Sequence, residues 1–153
     1  MNKKIYISIG IVILVLLLVF FIPKYLNGNV AASDNLKVSS DIEKVEVYHF
    51  HATSQCYSCK TVGSYAEETV NTYFSNELKY GKIVFASVNI ELPENKALAD
   101  KYDAKGSSLL IGVYERDGNF SKQEDTTVWY KISNKQDYMN YLKSVIESKL
   151  SGE

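Results

Sequence analysis

Val45-Glu46-Val47-Tyr48-His49-Phe50-His51, a short polar loop Ala52-Thr53-Ser54-Gln55, and then Cys56-Tyr57-Ser58-Cys59 is the stretch on which the reading of this chain turns. The first seven residues alternate. Val45, Val47, His49 and His51 fall on one face, and Glu46, Tyr48 and Phe50 on the other. Both faces carry apolar or aromatic groups, which predicts a largely buried strand. The two cysteines, the only ones in 153 residues, stand where the strand pattern ends and a helical pattern begins. Two thiols three residues apart can close a disulfide across one helical turn. A cysteine at a helix start faces unsatisfied N–H groups and the positive end of the helix dipole, and both favour the thiolate. With an ordinary thiol pKa only roughly 3 % is ionised at neutral pH, and a shift to about 7 makes it half. The thiolate is the species that attacks disulfides and binds soft metals.

Downstream of Cys59 the period changes. Val62, Ala66, Thr69-Val70, Tyr73-Phe74 and Leu78 recur at three- and four-residue steps, which predicts one amphipathic helix running to a stop at Gly81. Gly63 inside that helix costs stability relative to alanine and hints at close packing near the first turn. Ile83 to Asn89 reads as a second buried strand. Leu92-Pro93-Glu94 opens a helix through Ala97, Leu98 and Tyr102, and Ser107 to Tyr114 is a third strand. Arg116-Asp117-Gly118-Asn119 is a hairpin turn, so Phe120 to Glu124 should return antiparallel. Thr126 to Ile132 fits a strand or a short helix. Ser133 is expected to cap a last helix with Tyr138, Tyr141-Leu142, Val145-Ile146 and Leu150 as its stripe. The first two crossovers are expected to be right-handed and to make a parallel sheet, with the hairpin adding an antiparallel edge. The fold class is therefore α/β, a three-layer sandwich with a central mixed sheet of about four strands and helices on both faces.

Toward the N-terminus, Ile5 to Ile22 is an apolar run of 18 residues. As a helix it would span roughly 27 Å, close to a bilayer's hydrocarbon core. Lys3 and Lys4 precede it and Lys24 follows, a bias that favours a cytoplasmic N-terminus and an external domain. Residues 1–24 are thus expected to be a membrane anchor, 25–41 a polar linker, and 42–150 the folded domain. The alternative is a signal peptide cleaved near Val30-Ala31-Ala32, giving a secreted domain. Without Lys3, Lys4 and Lys24 the chain keeps 14 basic residues against 18 acidic ones. No basic patch is left, and a nucleic-acid partner is not expected. Two cysteines are too few for a disulfide scaffold.

A C-x-x-C that follows a first strand and opens an amphipathic helix resembles the thioredoxin fold. So does Leu98-Ala99-Asp100-Lys101-Tyr102-Asp103-Ala104-Lys105-Gly106-Ser107-Ser108-Leu109-Leu110-Ile111, and the resemblance runs from about Glu43 to Leu150. Within that fold three features resemble the small ArsF-type subunits of nitrophenyl/arsenical reductase systems. They are Tyr48-His49-Phe50-His51-Ala52-Thr53 running into the cysteines, Pro93-Glu94-Asn95, and Lys135-x-Asp137-Tyr138 with Tyr141-Leu142. That resemblance implies a redox or metalloid-handling setting beside a membrane partner. Two departures bear on mechanism. The cis-proline that thioredoxins place before the third strand has no counterpart, since its position falls at about Ser108 and the only prolines are Pro23 and Pro93. The acidic residue that thioredoxins bury beneath their cysteines is also missing, with Phe50 near its position. If Cys59 needs a base, a histidine or water has to serve.

The expected chemistry is a reversible dithiol. Cys56 would be the exposed attacking sulfur and Cys59 the resolving one, with Tyr57, Ser58, Ser107 and Ser108 lining a substrate groove. A permanent structural bridge is the weaker reading, because closing a four-residue loop adds little stability. The function expected is a membrane-tethered, extracytoplasmic thiol–disulfide oxidoreductase, with a protein thiol or disulfide as partner, a membrane redox protein among the candidates, and no required cofactor. A second possibility is a metal- or metalloid-binding accessory module using Cys56, Cys59 and the only histidines, His49 and His51. A third is a non-catalytic subunit of a membrane redox or arsenical system. For the histidines the simpler expectation is that one packs in the core and the other fills a surface position. The twelve tyrosines read mostly as core and rim.

Overall fold

A computed structural model describes residues 41–152. The expected anchor and nearly all of the expected linker lie outside the described residues. Among the described residues no helix is long and apolar enough to cross a membrane. The chain forms β1 (Ile42–His51), α1 (Tyr57–Tyr73), α2 (Ser75–Lys79), β2 (Ile83–Asn89), a 3-10 turn (Pro93–Asn95), α3 (Lys96–Tyr102), β3 (Ser108–Glu115), β4 (Phe120–Glu124), a second 3-10 turn (Thr127–Tyr130) and α4 (Lys135–Ser151).

The four strands make one mixed sheet in the order β2-β1-β3-β4. β1 pairs parallel with β2 and antiparallel with β3, and β3 pairs antiparallel with β4. The second expected parallel crossover is therefore corrected, and helix length supplies the reason. α1 has 17 residues, long enough at roughly 25 Å to carry the chain back along the sheet before β2 begins. α3 has only seven, roughly 10 Å, while β2 spans roughly 23 Å. The chain cannot return to the far end, so β3 starts beside the C-terminal end of β1, with Ser108 opposite Phe50.

Alternation along β1 divides the core in two. Val45 and Val47 pack with Val62, Val70, Tyr138 and Leu142 beneath α1 and α4. Tyr48 and Phe50 pack with Val88, Tyr102 and Leu110 beneath α3. The buried Glu46 sits on this second face. It accepts hydrogen bonds from Tyr102 Oη (2.7 Å), Tyr114 Oη (2.9 Å) and Lys44 Nζ (2.6 Å). Burial pushes its carboxyl up, but those donors outweigh burial and leave it below the usual carboxylate value.

Two boundaries differ from the sequence expectation. The long helix breaks at Phe74, whose φ of −129° is not helical, and α2 resumes after it. The last helix is capped by Asn134, not Ser133. Asn134 Oδ1 accepts from Asp137 N–H at 3.1 Å. The ambiguous Thr126–Ile132 stretch is a single 3-10 turn, held by Asp125 Oδ1 accepting from Thr127 N–H at 2.9 Å.

Candidate redox site

The site stands where the C-terminal ends of β1 and β2 meet the N-terminus of α1. Cys56 is the N-cap of α1, with extended backbone, and it is exposed. Cys59, one turn on, is half-buried and joined to Cys56 in a disulfide with a Cα–Cα distance of 5.1 Å. Cys56 Sγ accepts from Cys59 N–H at 3.2 Å. When the bridge opens, the same N–H and the free amides of the first turn face the Cys56 sulfur, which stabilises a thiolate there. No acidic residue lies in the first turn to oppose this, and Lys60 adds a positive charge. Tyr57, which follows Cys56, is 81 % exposed, and Ser58, between the two cysteines in sequence, is half-buried.

The loop that delivers Cys56 is clipped to the neighbouring loop. Ile90 N–H donates to His51 O at 2.9 Å, Thr53 N–H to Glu91 Oε2 at 3.0 Å, and Asn89 Nδ2 to Thr53 Oγ1 at 2.9 Å. Hydrogen bonds from Thr53 hold the Glu91 carboxyl below its usual value. These contacts fix the entry to α1 from the β2 side. No spacing in the sequence signals Glu91 or Asn89 as part of the site.

The two histidines stack, with ring centroids 5.4 Å apart. His51 Nδ1 lies 2.9 Å from Ala52 O, and because a carbonyl only accepts, that nitrogen carries the proton. His49 is only 1 % exposed. Its ring lies against Gly63, where any added Cβ would collide with the imidazole, so the glycine is what admits the histidine. His49 Nδ1 is 3.0 Å from Ser87 Oγ on β2, and Nε2 is buried with no hydrogen-bond partner. Burial foremost, and the neighbouring His51 next, push its pKa down to about 4, with the Cys59 backbone carbonyl acting in the opposite sense. His49 is therefore neutral near pH 7.

The expected groove residues separate. Ser108 is buried opposite Phe50, on the Tyr102 face of the sheet, and with Ser107 it lines a cleft of about 390 Å³ bordered by Lys105, Lys122 and Glu124. That cleft contains no residue of the Cys56–Cys59 segment. Phe50 belongs to the same face, so the residue facing α1 at the end of β1 is His49. No described peptide bond is cis. Among the described residues, no three or more His, Cys, Asp or Glu side chains gather into a metal-holding group.

No protein-family model and no curated protein matches the chain. Among solved structures it is similar to the Trx4 domain of ERdj5, with 16 % identity and a TM-score of 0.50 over 72 % of this chain and 83 % of that one. It is also similar to the zinc-bound form of human ERp44 (22 % identity, TM-score 0.43, 65 % of this chain and 27 % of that one). A third is the germline-specific thioredoxin Deadhead of Drosophila melanogaster (18 % identity, TM-score 0.39, 67 % and 81 %). The first of these likenesses, with the mixed sheet and its flanking helices, makes the fold thioredoxin-like.

Proposed function

We propose that this chain is a thiol–disulfide oxidoreductase that acts on protein partners through Cys56 and Cys59. The observation that carries the reading is the asymmetry of the pair. One sulfur is exposed at a helix N-cap with no acidic residue in the first turn, and the other is half-buried one turn behind it. A reversible dithiol needs that arrangement, with an accessible nucleophile and a shielded resolving group. Thiolate Cys56 attacks a partner disulfide and expels one partner sulfur. Cys59 then attacks Cys56 Sγ, closes the internal disulfide and expels the other. Tyr57 and Ser58 flank the incoming chain. Ser107 and Ser108 would join the groove only for a partner that extends around the C-terminal end of β1 to the Tyr102 face.

The finer setting belongs to the same proposal. The apolar run Ile5–Ile22 would hold the protein in a membrane, with 25–41 as tether and the 42–150 domain outside the cytoplasm beside a membrane redox partner. The sequence features shared with ArsF-type subunits support an arsenical or nitro-compound setting, in which a trivalent metalloid would be a second soft electrophile for the thiols.

The test uses the full-length chain. Cys56→Ser should abolish exchange, and Cys59→Ser should accumulate a mixed disulfide with its partner. Full activity in Cys56→Ser would overturn the reading. Titration against a glutathione buffer, with and without added zinc, should give one reversible two-electron transition between roughly −120 and −270 mV that zinc does not move. Thiols held reduced only by the metal would replace the oxidoreductase with a metal-binding module.

A further inference from the structure

His49 Nε2 is the one side-chain nitrogen or oxygen among the described residues that is fully buried without a hydrogen-bond partner. Such a group is costly, and a redox or catalytic role is one reason for a protein to keep it. The state in hand has Cys59 locked in a disulfide, with no S–H to give. Gly63, whose Cα lies against the imidazole, is four residues after Cys59 and so on the same helix face. The Cys59 side chain therefore points to the side of α1 that His49 occupies, and the Cys59 carbonyl already acts on the ring. Nδ1, the ring atom nearest Gly63, also meets Ser87 Oγ at 3.0 Å. Ser87 belongs to β2, the edge strand, and it is exposed. A buried base thus packs against the helix face that carries the resolving cysteine and is within hydrogen-bond reach of a hydroxyl that touches water.

We propose that His49 is the proton acceptor for Cys59 during the second step of exchange, and that Ser87 is the outlet by which that proton reaches solvent. This deepens the oxidoreductase reading and rests on it. Nδ1–H donates to Ser87 Oγ, leaving the Nε2 lone pair free. In the reduced protein Cys59 S–H faces that lone pair. As Cys59 attacks Cys56 Sγ in the mixed disulfide, its proton passes to Nε2, the Cys56–partner S–S bond breaks, and the partner leaves as a thiolate. The imidazolium gives its Nδ1 proton to Ser87, whose own proton goes to water. The enzyme dithiol is oxidised, the partner disulfide is reduced, and the departing thiolate is protonated from solvent. The groups that face His49 are His51 on β1, the cysteine pair on α1, Ser87 on β2 and the apolar Leu109 on β3, so no carboxylate competes for the proton.

The test is stopped-flow reaction of the reduced full-length chain with Ellman's reagent. The first equivalent of nitrothiobenzoate reports attack by Cys56 and the second reports resolution by Cys59. His49→Gln should leave the first phase unchanged, slow the second about 100-fold and alter its pH profile. Ser87→Ala, at an exposed position, should slow only the second phase, several-fold. Wild-type second-phase rates in both variants would overturn the inference while leaving the oxidoreductase reading intact. A wild-type protein with no thiol burst at all would remove that reading, and this inference with it. Should His49→Gln fail to fold, imidazole nitrogen NMR of the wild type decides: His49 Nε2 should shift on reduction of the disulfide, and an identical signal in both redox states would overturn the assignment.

Discussion

At the scale of the residue, β1 carries two buried ionisable groups three positions apart, and each loses its stabilising state in acid over a different pH window. His49 has its pKa pushed down to about 4, below the unfolded value of 6.5. Above pH 6.5 neither state holds the proton. Between 6.5 and 4 the unfolded chain takes it first, so stability is lost as pH falls through that window, at up to about 1.4 kcal/mol per pH unit. His49→Gln should flatten this slope in urea melts at pH 4.5, 5.5 and 6.5. Glu46 is lowered below 4.5, so its contribution is complete above that value and disappears as pH falls below it. Glu46→Gln should cost about 1–3 kcal/mol at pH 7, with the gap to wild type narrowing as pH falls below 4.5 in the same assay. Sequence reasoning singled out Cys56, Cys59 and both histidines and set Phe50 nearest the buried position beneath the thiols. Counting back from a cysteine across the loop 52–55 does not reveal which sheet face a residue takes. Strand parity does, and it puts His49 toward α1 and Phe50 toward α3.

At the scale of the element, Gly63 turns helix propensity against itself. Alanine in a helix interior is ordinarily better than glycine by up to about 1 kcal/mol. Here its methyl would enter the His49 ring, so Gly63→Ala should lower the thermal midpoint by several degrees and displace the His49 resonances; a raised midpoint would contradict the packing. The four strands, the Asp-Gly turn and the two long helices were legible from period and punctuation. What escaped was decided by partners far along the chain. Phe74 leaves the helix although the apolar spacing runs on to Leu78, and its side chain is still buried against the first core layer. The direction of β3 depends on how far α3 can carry the chain, a matter of length and not of pattern. Asn134 and Ser133 are equally good caps by type, and only the turn closed by Asp137 N–H selects between them.

At the scale of the whole molecule, the disulfide lies at the rim of the core and not within it. A four-residue loop contributes about 2 kcal/mol at most in the loop-entropy model, and the α1 start is ordered by its own helix. Oxidised and reduced forms should therefore unfold in urea with the same slope and midpoints corresponding to less than about 2 kcal/mol; a larger gap would mark the bridge as structural. The core layers are far more sensitive. Leu142→Ala, in the fully buried seam between α4 and the sheet, should cost about 2–5 kcal/mol in the same melts. Sheet order has a consequence in time as well as in space. β1 is an interior strand, yet Val47 finds its neighbours at Phe85 and Ile111, 38 and 64 positions later. During synthesis β1 emerges before both of its partners, and until β3 arrives one of its edges stays unpaired and open to wrong partners. The two cysteines need no such wait. Three residues apart in a chain with no third thiol, they can close in the nascent strand–loop segment, so oxidation can precede folding without any risk of mispairing within the chain.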